Sequence, residues 1–110
     1  MSVLNSAKDF ASHYFKEKIP SVFIFHNFEH TNNVVNSVHE IIENGKIELS
    51  ELEKNAIYLA AWFHDLGYGT DIENHELASI DIFKEFIKDY TKHNSIPFEV
   101  TELQDLVIQL

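Results

Sequence analysis

The chain has 110 residues, of which 45% are hydrophobic and nine are phenylalanine, enough to build one domain around a single core. Eighteen acidic residues outnumber eight lysines and arginine does not occur, which excludes a basic nucleic-acid surface and a guanidinium clamp on phosphate. The absence of cysteine, of a signal peptide and of an apolar run that could cross a bilayer predicts a cytoplasmic domain without disulfides or thiolate metal sites.

Two amphipathic helices are predicted in the first half of the chain. The first covers residues 3–18 and ends before Pro20. The apolar residues 21–25 are interpreted as a buried connection, because no partner strand is predicted elsewhere. The second helix runs from near Asn27, a good N-cap, to Asn44. Its predicted buried face recurs at three- and four-residue spacing and comprises His30, Val34, Val38, Ile41 and Ile42.

The third helix begins with a capping box, in which Ser50 and Glu53 satisfy each other's free N–H groups. We expect it to stop at Gly67. Residues 67–74 contain two glycines and two acidic residues, so they are predicted to form a loop. The buried positions predicted for this helix are Leu52, Ala56, Leu59, Ala60 and Phe63.

Two further helices complete a predicted all-α bundle of about five helices in one domain over residues 1–110. The fourth covers residues 75–90, with an apolar stripe of Ile80, Phe83, Phe86, Ile87 and Tyr90. The fifth begins near Pro97, with apolar positions at Val100, Leu103, Leu106, Val107 and Leu110. Because the pattern stops on an apolar face, we expect the chain to continue. The stripe over residues 103–110 should pack against a missing helix, a partner or a second copy of the chain. In the last case the chain would form a homodimer.

His64 and Asp65 are predicted to stand at the end of the third helix. Successive helical residues point about 100° apart, so both can reach one ion only where the helix is ending. His30 falls in line with Val34 on the second helix and is expected to face the core, where it needs a hydrogen-bond partner or a metal. A core histidine bonded to a backbone carbonyl is the alternative for His30.

Two other histidines are candidates for chemistry. His26 lies four residues before His30, among the aromatic residues 23, 25 and 28, and that setting would disfavour its charged form and tune it for proton transfer. The alternative is a polar residue flanking the helix. His75 and Glu76 begin the fourth helix, and a helix N-terminus could bind a phosphate oxygen or a metal-bound water. The alternative is that Glu76 is an ordinary acidic residue of a first helical turn, with a histidine beside it. The remaining three, at positions 13, 39 and 93, receive no role.

Three segments resemble the HD superfamily, in their order and separation. The sequence FHNFEHT at residues 25–31 resembles its opening motif, AAWFHDLGY at residues 60–68 its name-giving motif, and HELAS at residues 75–79 the segment that follows. The resemblance implies a helical bundle that holds a divalent metal and hydrolyses phosphate esters or anhydrides, often of nucleotides. Together these motifs span about the middle half of the chain.

The roles implied by this resemblance are specific. His30, His64 and Asp65 match the metal ligands, and His26 matches the histidine that protonates the leaving oxygen in cyclic-nucleotide phosphodiesterases. His75 matches a position that approaches the site in many members, sometimes as a second-metal ligand, with Glu76 beside it. Imidazole and carboxylate ligands without sulfur favour Mn²⁺, Fe²⁺, Zn²⁺, Ni²⁺ or Co²⁺ over Mg²⁺.

The chain departs from the HD pattern at two places. The family closes its motif with an aspartate on a later helix, and Asp105, the one late candidate, lies too near the preceding motifs to be assigned. The branch that degrades guanosine tetraphosphate carries an acidic pair after His-Asp, where this chain has Tyr68 and Gly69, so that substrate is disfavoured.

Three functional hypotheses follow from the sequence. The first is a metal-dependent phosphohydrolase acting on a small phosphate compound, such as a nucleotide, with Asp65 as ligand and catalytic carboxylate and His26 as general acid. The second is a non-catalytic HD domain that binds metal or nucleotide as a sensory or interaction module, favoured by the unmatched closing aspartate. The third is a helical interaction domain whose histidines are structural.

Overall fold

Helices make up the architecture of this protein. A computed structural model describes residues 2–18, 28–45, 48–69 and 73–109, and within those residues there is no β-strand. The helices are α1 (Val3–Lys18), α2 (Phe28–Asn44), α3 (Glu51–Phe63), α4 (His75–His93) and α5 (Val100–Gln109). The predicted all-α bundle is confirmed. The predicted buried connection at residues 21–25 lies outside the described residues. None of the helices in the described parts of the chain is long and apolar enough to span a membrane.

Helix α3 lies at the centre of the bundle and contacts the other four helices. It can do so because it is apolar on more than one side: Ala61 and Trp62 are buried in addition to the predicted Ala56, Leu59 and Phe63. Its start is fixed by the predicted capping box. The Ser50 N–H donates to Glu53 Oε1 at 2.9 Å, and the Glu53 N–H donates to Ser50 Oγ at 3.1 Å. Losing an N-cap of this kind costs about 1 kcal/mol.

An aromatic cluster anchors the C-terminal end of α3. The Phe63 ring is 2% exposed and lies 5.1 Å from Phe86, 5.3 Å from Phe83 and 5.6 Å from Phe10, measured between ring centroids. Aromatic pairs at such distances contribute about 0.5–1.5 kcal/mol each beyond the area that they bury. Rings from α1 and α4 therefore fix the position of the residue that immediately precedes His64.

The buried face of α2 differs from the prediction. Thr31 and Val35 are the buried residues of this helix, whereas Val34 is half-buried, Ile41 is 64% exposed and His30 is exposed. The expectation that His30 faces the core is therefore wrong. Two adjacent valines fit stripes that differ by one position, about 100° around the helix. The polar Thr31 concealed which of the two stripes packs inward.

Three predicted helix boundaries are displaced. Helix α3 ends at Phe63, and residues expected to continue the helix and then form a loop instead form a short 3₁₀ helix, Leu66–Gly69. Helix α4 extends to His93, one turn past its last apolar residue. The apolar stripe could not indicate this turn, because its residues are polar. Helix α5 begins at Val100 rather than near Pro97, which lies in a bend.

The apolar stripe of α5 is largely covered within the chain itself. Leu103 is fully buried and Val107 is 8% exposed, and the helix packs on α3. Ile108 is 37% exposed, and Leu110 lies outside the described residues. The expectation that this stripe needs an external partner is therefore wrong for Leu103 and Val107, and the homodimer stays a prediction.

Candidate metal centre

Two neighbouring polar residues, His64 and Asp65, follow directly after the last residue of α3. His64 is the C-cap of the helix, and Asp65 follows it in the turn before the 3₁₀ helix. His64 Nε2 lies 3.2 Å from Asp65 Oδ2. Asp65 is only 5% exposed, and a buried carboxylate is costly unless a cation or hydrogen-bond donors face it. The turn therefore concentrates an imidazole and a negative charge at the same point, as its position at a helix end predicts.

The backbone fixes the orientation of the His64 ring. Its Nδ1 lies 2.6 Å from the carbonyl oxygen of Ala61, and since a carbonyl can only accept, Nδ1 carries the hydrogen. Nε2 then presents its lone pair to the site when the ring is neutral. Metal-binding histidines are commonly held in this way, with the second ring nitrogen bonded to a carbonyl or carboxylate.

The same contacts determine the pKa of His64. Burial lowers the pKa of His64, but the hydrogen bonds to Asp65 and to the Ala61 carbonyl, together with the Asp65 charge, outweigh it and raise the pKa above 6.5. The carboxylate therefore attracts positive charge at this position, whether as a proton on the imidazole or as a cation.

His30 completes a group of three potential ligands. One ligand atom from each of His30, His64 and Asp65 lies within 4.8 Å of the others. Atoms that share an ion at bond lengths of about 2.1 Å are separated by roughly 3–4 Å, so small side-chain rotations would close the group around a cation. Two imidazoles and one carboxylate form a donor set that transition metals favour.

An aromatic stack brings the two histidines together. Phe28 and Trp62 lie 5.8 Å apart between ring centroids and are inclined by only 14°. Each ring stands two residues before a histidine of the cluster, and the rings of His30 and His64 lie 6.3 Å apart. These histidines are 34 residues apart in the sequence, and a packing contact between α2 and α3 brings them together. No spacing rule in the sequence indicates it.

A cavity of about 340 Å³ opens beside His64 and Asp65, between α3, α4 and α5. The predicted site residues His75 and Glu76 also line it, together with Ser79. The rest of the wall is apolar and consists of Ala60, Phe63, Ile80, Phe83, Val107 and Ile108. The volume is within the range of about 300–1,000 Å³ that small-molecule sites occupy.

Two further sequence candidates, His26 and Asp105, have different outcomes. His26, the predicted general acid, lies outside the described residues. Asp105 is exposed on α5, and in the described part of the chain it belongs neither to the ligand group nor to the cavity wall. Within the described residues, α5 contributes the apolar side chains of Val107 and Ile108 to the cavity wall and no carboxylate.

Ser79 is a residue of the candidate site for which no role was predicted. It is 5% exposed, and its hydroxyl contacts the turn that carries His64 and Asp65. One signal was available: Ser79 lies four residues after His75 and therefore on the same face of α4. Its partners in the turn could not be read from the sequence, because they precede it by twelve and fifteen residues.

Gly67 permits the close approach of α4. A Cβ atom there would lie 1.9 Å from the carbonyl oxygen of His75 and 2.8 Å from the backbone nitrogen of Ser79. Since its φ angle is not positive, Gly67 is required for space and not for a left-handed turn. The predicted role of Gly67 as the stop of α3 is therefore wrong.

Comparison with known proteins gives one family. Residues 25–76 match the 3'5'-cyclic nucleotide phosphodiesterase family. The match begins and ends within the first and last of the three motifs, and it contains all three members of the ligand group. No curated protein and no solved structure matches the chain. The matched family belongs to the HD-type metal-dependent phosphodiesterases, and the helical bundle and the His30, His64 and Asp65 cluster of this chain are consistent with an HD-type domain.

Proposed function

We propose that residues 1–110 form a single HD domain in which His30, His64 and Asp65 hold a divalent cation for the hydrolysis of a small phosphate compound, such as a nucleotide. The observation that carries the proposal is the ligand group itself, with its atoms within 4.8 Å of one another beside a cavity. The donor set favours Mn²⁺, Fe²⁺, Zn²⁺, Ni²⁺ or Co²⁺ over Mg²⁺. Such a cation supplies Lewis acidity and makes a water molecule a stronger nucleophile.

The residues around the cation site would divide the remaining tasks. Asp65 would balance the positive charge, while His64 and His30 would orient the site through neutral imidazole nitrogens. His75, on the cavity wall at the N-terminus of α4, would hold phosphate oxygens together with backbone N–H groups of that helix end. Alternatively, His75 and Glu76 would hold a second cation through their side chains. His26 would donate a proton to the leaving oxygen.

The apolar wall of the cavity would receive the organic part of the substrate. Phe63, Phe83 and Val107 are available for this, at the side of the cavity formed by α3, α4 and α5. No lysine is among the residues that line the cavity, so within the described chain the phosphate charge would be balanced by metal, histidine and helix N–H groups.

Metal content tests the proposal directly. The purified protein, soaked with Mn²⁺ and desalted, should retain about one equivalent by elemental analysis, and Asp65→Ala should retain none while keeping its helical circular dichroism. His13→Ala is a matched control, because His13 is an exposed histidine of α1 that is not part of the ligand group. Stoichiometric metal in Asp65→Ala would contradict the assignment.

A second candidate function rests on Asp105. Because that residue is exposed and the described cavity wall has no carboxylate from α5, we propose as the alternative a sensory or interaction module that binds a nucleotide without hydrolysing it. Metal-loaded protein should be assayed with 3'5'-cyclic nucleotides, nucleoside phosphates and p-nitrophenyl phosphate. Product release that is lost in His64→Ala supports the enzyme, whereas nucleotide binding without product supports the sensory module.

A further inference from the structure

The hydroxyl of Ser79 bridges the two ends of the turn that carries Asp65. Ser79 Oγ donates to the carbonyl oxygen of His64 at 3.0 Å and accepts from the N–H of Gly67 at 2.8 Å. The His64 carbonyl lies at the C-cap of α3 and the Gly67 N–H lies in the 3₁₀ helix that follows, so neither group is in the interior of an α-helix. A single buried side chain of α4 therefore closes a clamp around Asp65.

The clamp depends on the chemistry of a hydroxyl and on the space at Gly67. A hydroxyl can donate and accept at once, which is what one carbonyl and one N–H require. A hydrocarbon side chain at position 79 would leave both groups of the turn without this partner, and a buried polar group that loses its partner destabilises the structure around it. Ser79 can approach only because Gly67 has no Cβ, which would meet the backbone nitrogen of Ser79 at 2.8 Å.

We propose that Ser79 is a positioning residue of the metal centre, an inference that rests on the proposed function. By holding the backbone on either side of Asp65, Ser79 fixes the direction in which the carboxylate and the His64 ring leave the turn. The same contact ties the N-terminal end of α4, which carries His75 and Glu76, to the ligand group. Metal affinity should therefore depend on a side chain that touches neither the cation nor its ligand atoms.

Ser79→Ala tests this inference by Mn²⁺ titration, with the fold monitored by circular dichroism. Replacing groups that orient metal ligands typically lowers metal affinity by about tenfold to a hundredfold, and we expect a loss in that range. Thr91→Ala is the matched control, because its hydroxyl also bonds a backbone carbonyl from α4, that of Ile87 at 2.8 Å, at the other end of the helix. The control should leave the metal affinity unchanged. Ser79→Thr, which keeps the hydroxyl, should restore at least part of the affinity.

A measurement on the unmodified protein keeps the test independent of whether Ser79→Ala folds. Coupling between sites is reciprocal, so a cation that benefits from the clamp must also stabilise it. Saturating Zn²⁺ should slow hydrogen exchange of the Gly67 amide by about tenfold or more if the coupling matches the affinity loss expected above. Exchange of the Asn94 amide, which bonds the Tyr90 carbonyl at the far end of α4, should not change.

The outcomes separate the two proposals. Normal metal binding by the unmodified protein, together with unchanged affinity in folded Ser79→Ala, would overturn the role of Ser79 and leave the metal centre standing. An unchanged Gly67 exchange rate with Zn²⁺ bound would overturn it in the same way. Failure of the unmodified protein to bind Mn²⁺ or Zn²⁺ would refute the proposed function, and the role of Ser79 with it.

Discussion

Replacing Gly67 with alanine should separate α4 from the His64–Asp65 turn. The new Cβ would lie 1.9 Å from the His75 carbonyl oxygen, whereas ordinary contacts begin at 3.4 Å, so backbone must move by about 1.5 Å. A shift of that size breaks both hydrogen bonds of Ser79, worth about 1 kcal/mol each. Overpacking strain adds about 1–3 kcal/mol. We therefore expect the free energy of unfolding to fall by about 3–5 kcal/mol.

Urea denaturation and thermal melting followed by circular dichroism measure this loss. For a domain of this size about 1 kcal/mol corresponds to roughly 4 °C or more, so the melting temperature should fall by at least about 12 °C. Gly45→Ala is the matched control: Gly45 is exposed after α2 and does not have a positive φ, so alanine should change stability there by less than about 1 kcal/mol. Equal stabilities of the two variants would refute the close-approach argument.

Two further predictions concern buried polar and charged groups. Thr31 is fully buried, and its hydroxyl has no hydrogen-bond partner among the described residues, so Thr31→Val should raise the free energy of unfolding by about 1 kcal/mol in urea titrations; a marked loss of stability would mean that the hydroxyl is satisfied. The second prediction concerns protein from which metal has been removed with a chelator. Because the pKa of His64 is raised in the folded state, the protonated imidazole stabilises the fold fully below about pH 6.5. That contribution to the free energy of unfolding is lost as the pH rises through the folded-state pKa. Asp65→Asn removes the charge that helps to raise this pKa. The urea midpoint of the unmodified protein should therefore decline more steeply above pH 6.5 than the midpoint of the variant. The same dependence of both midpoints on pH would contradict this prediction.

Local interactions explain what the sequence predicted well. The capping box of Ser50 and Glu53 joins residues three apart in the sequence, so it can be predicted without knowing how the helices pack. The placement of His64 and Asp65 at a helix end was predicted from the nearby Gly67, and it is confirmed although α3 already ends at Phe63. Interactions between helices explain what was missed. The choice between Val34 and Val35 as the inward residue depends on how α2 packs on α3, and both valines fit a helical stripe.

The contacts that support the candidate site are also non-local. Gly67 looked like a helix stop because glycine commonly follows helices, and its actual constraint comes from the His75 backbone, which only the packed bundle brings near. The partnership of Ser79 with the turn has the same origin. Sequence reasoning could name candidate ligands by residue type, but the groups that orient them are recognised through distances that only the fold sets.

The stack of Phe28 on Trp62 gives this protein an internal optical reporter. Trp62 is the single tryptophan of the chain, it is 5% exposed, and it lies against the ring that precedes His30 by two residues. The fluorescence of Trp62 is therefore sensitive to the contact between α2 and α3 that brings the two histidines together. A change in emission during unfolding, or when a cation is added, reports on the assembly of the α2–α3 junction without any label. Phe28→Leu would shift that signal and loosen the junction together.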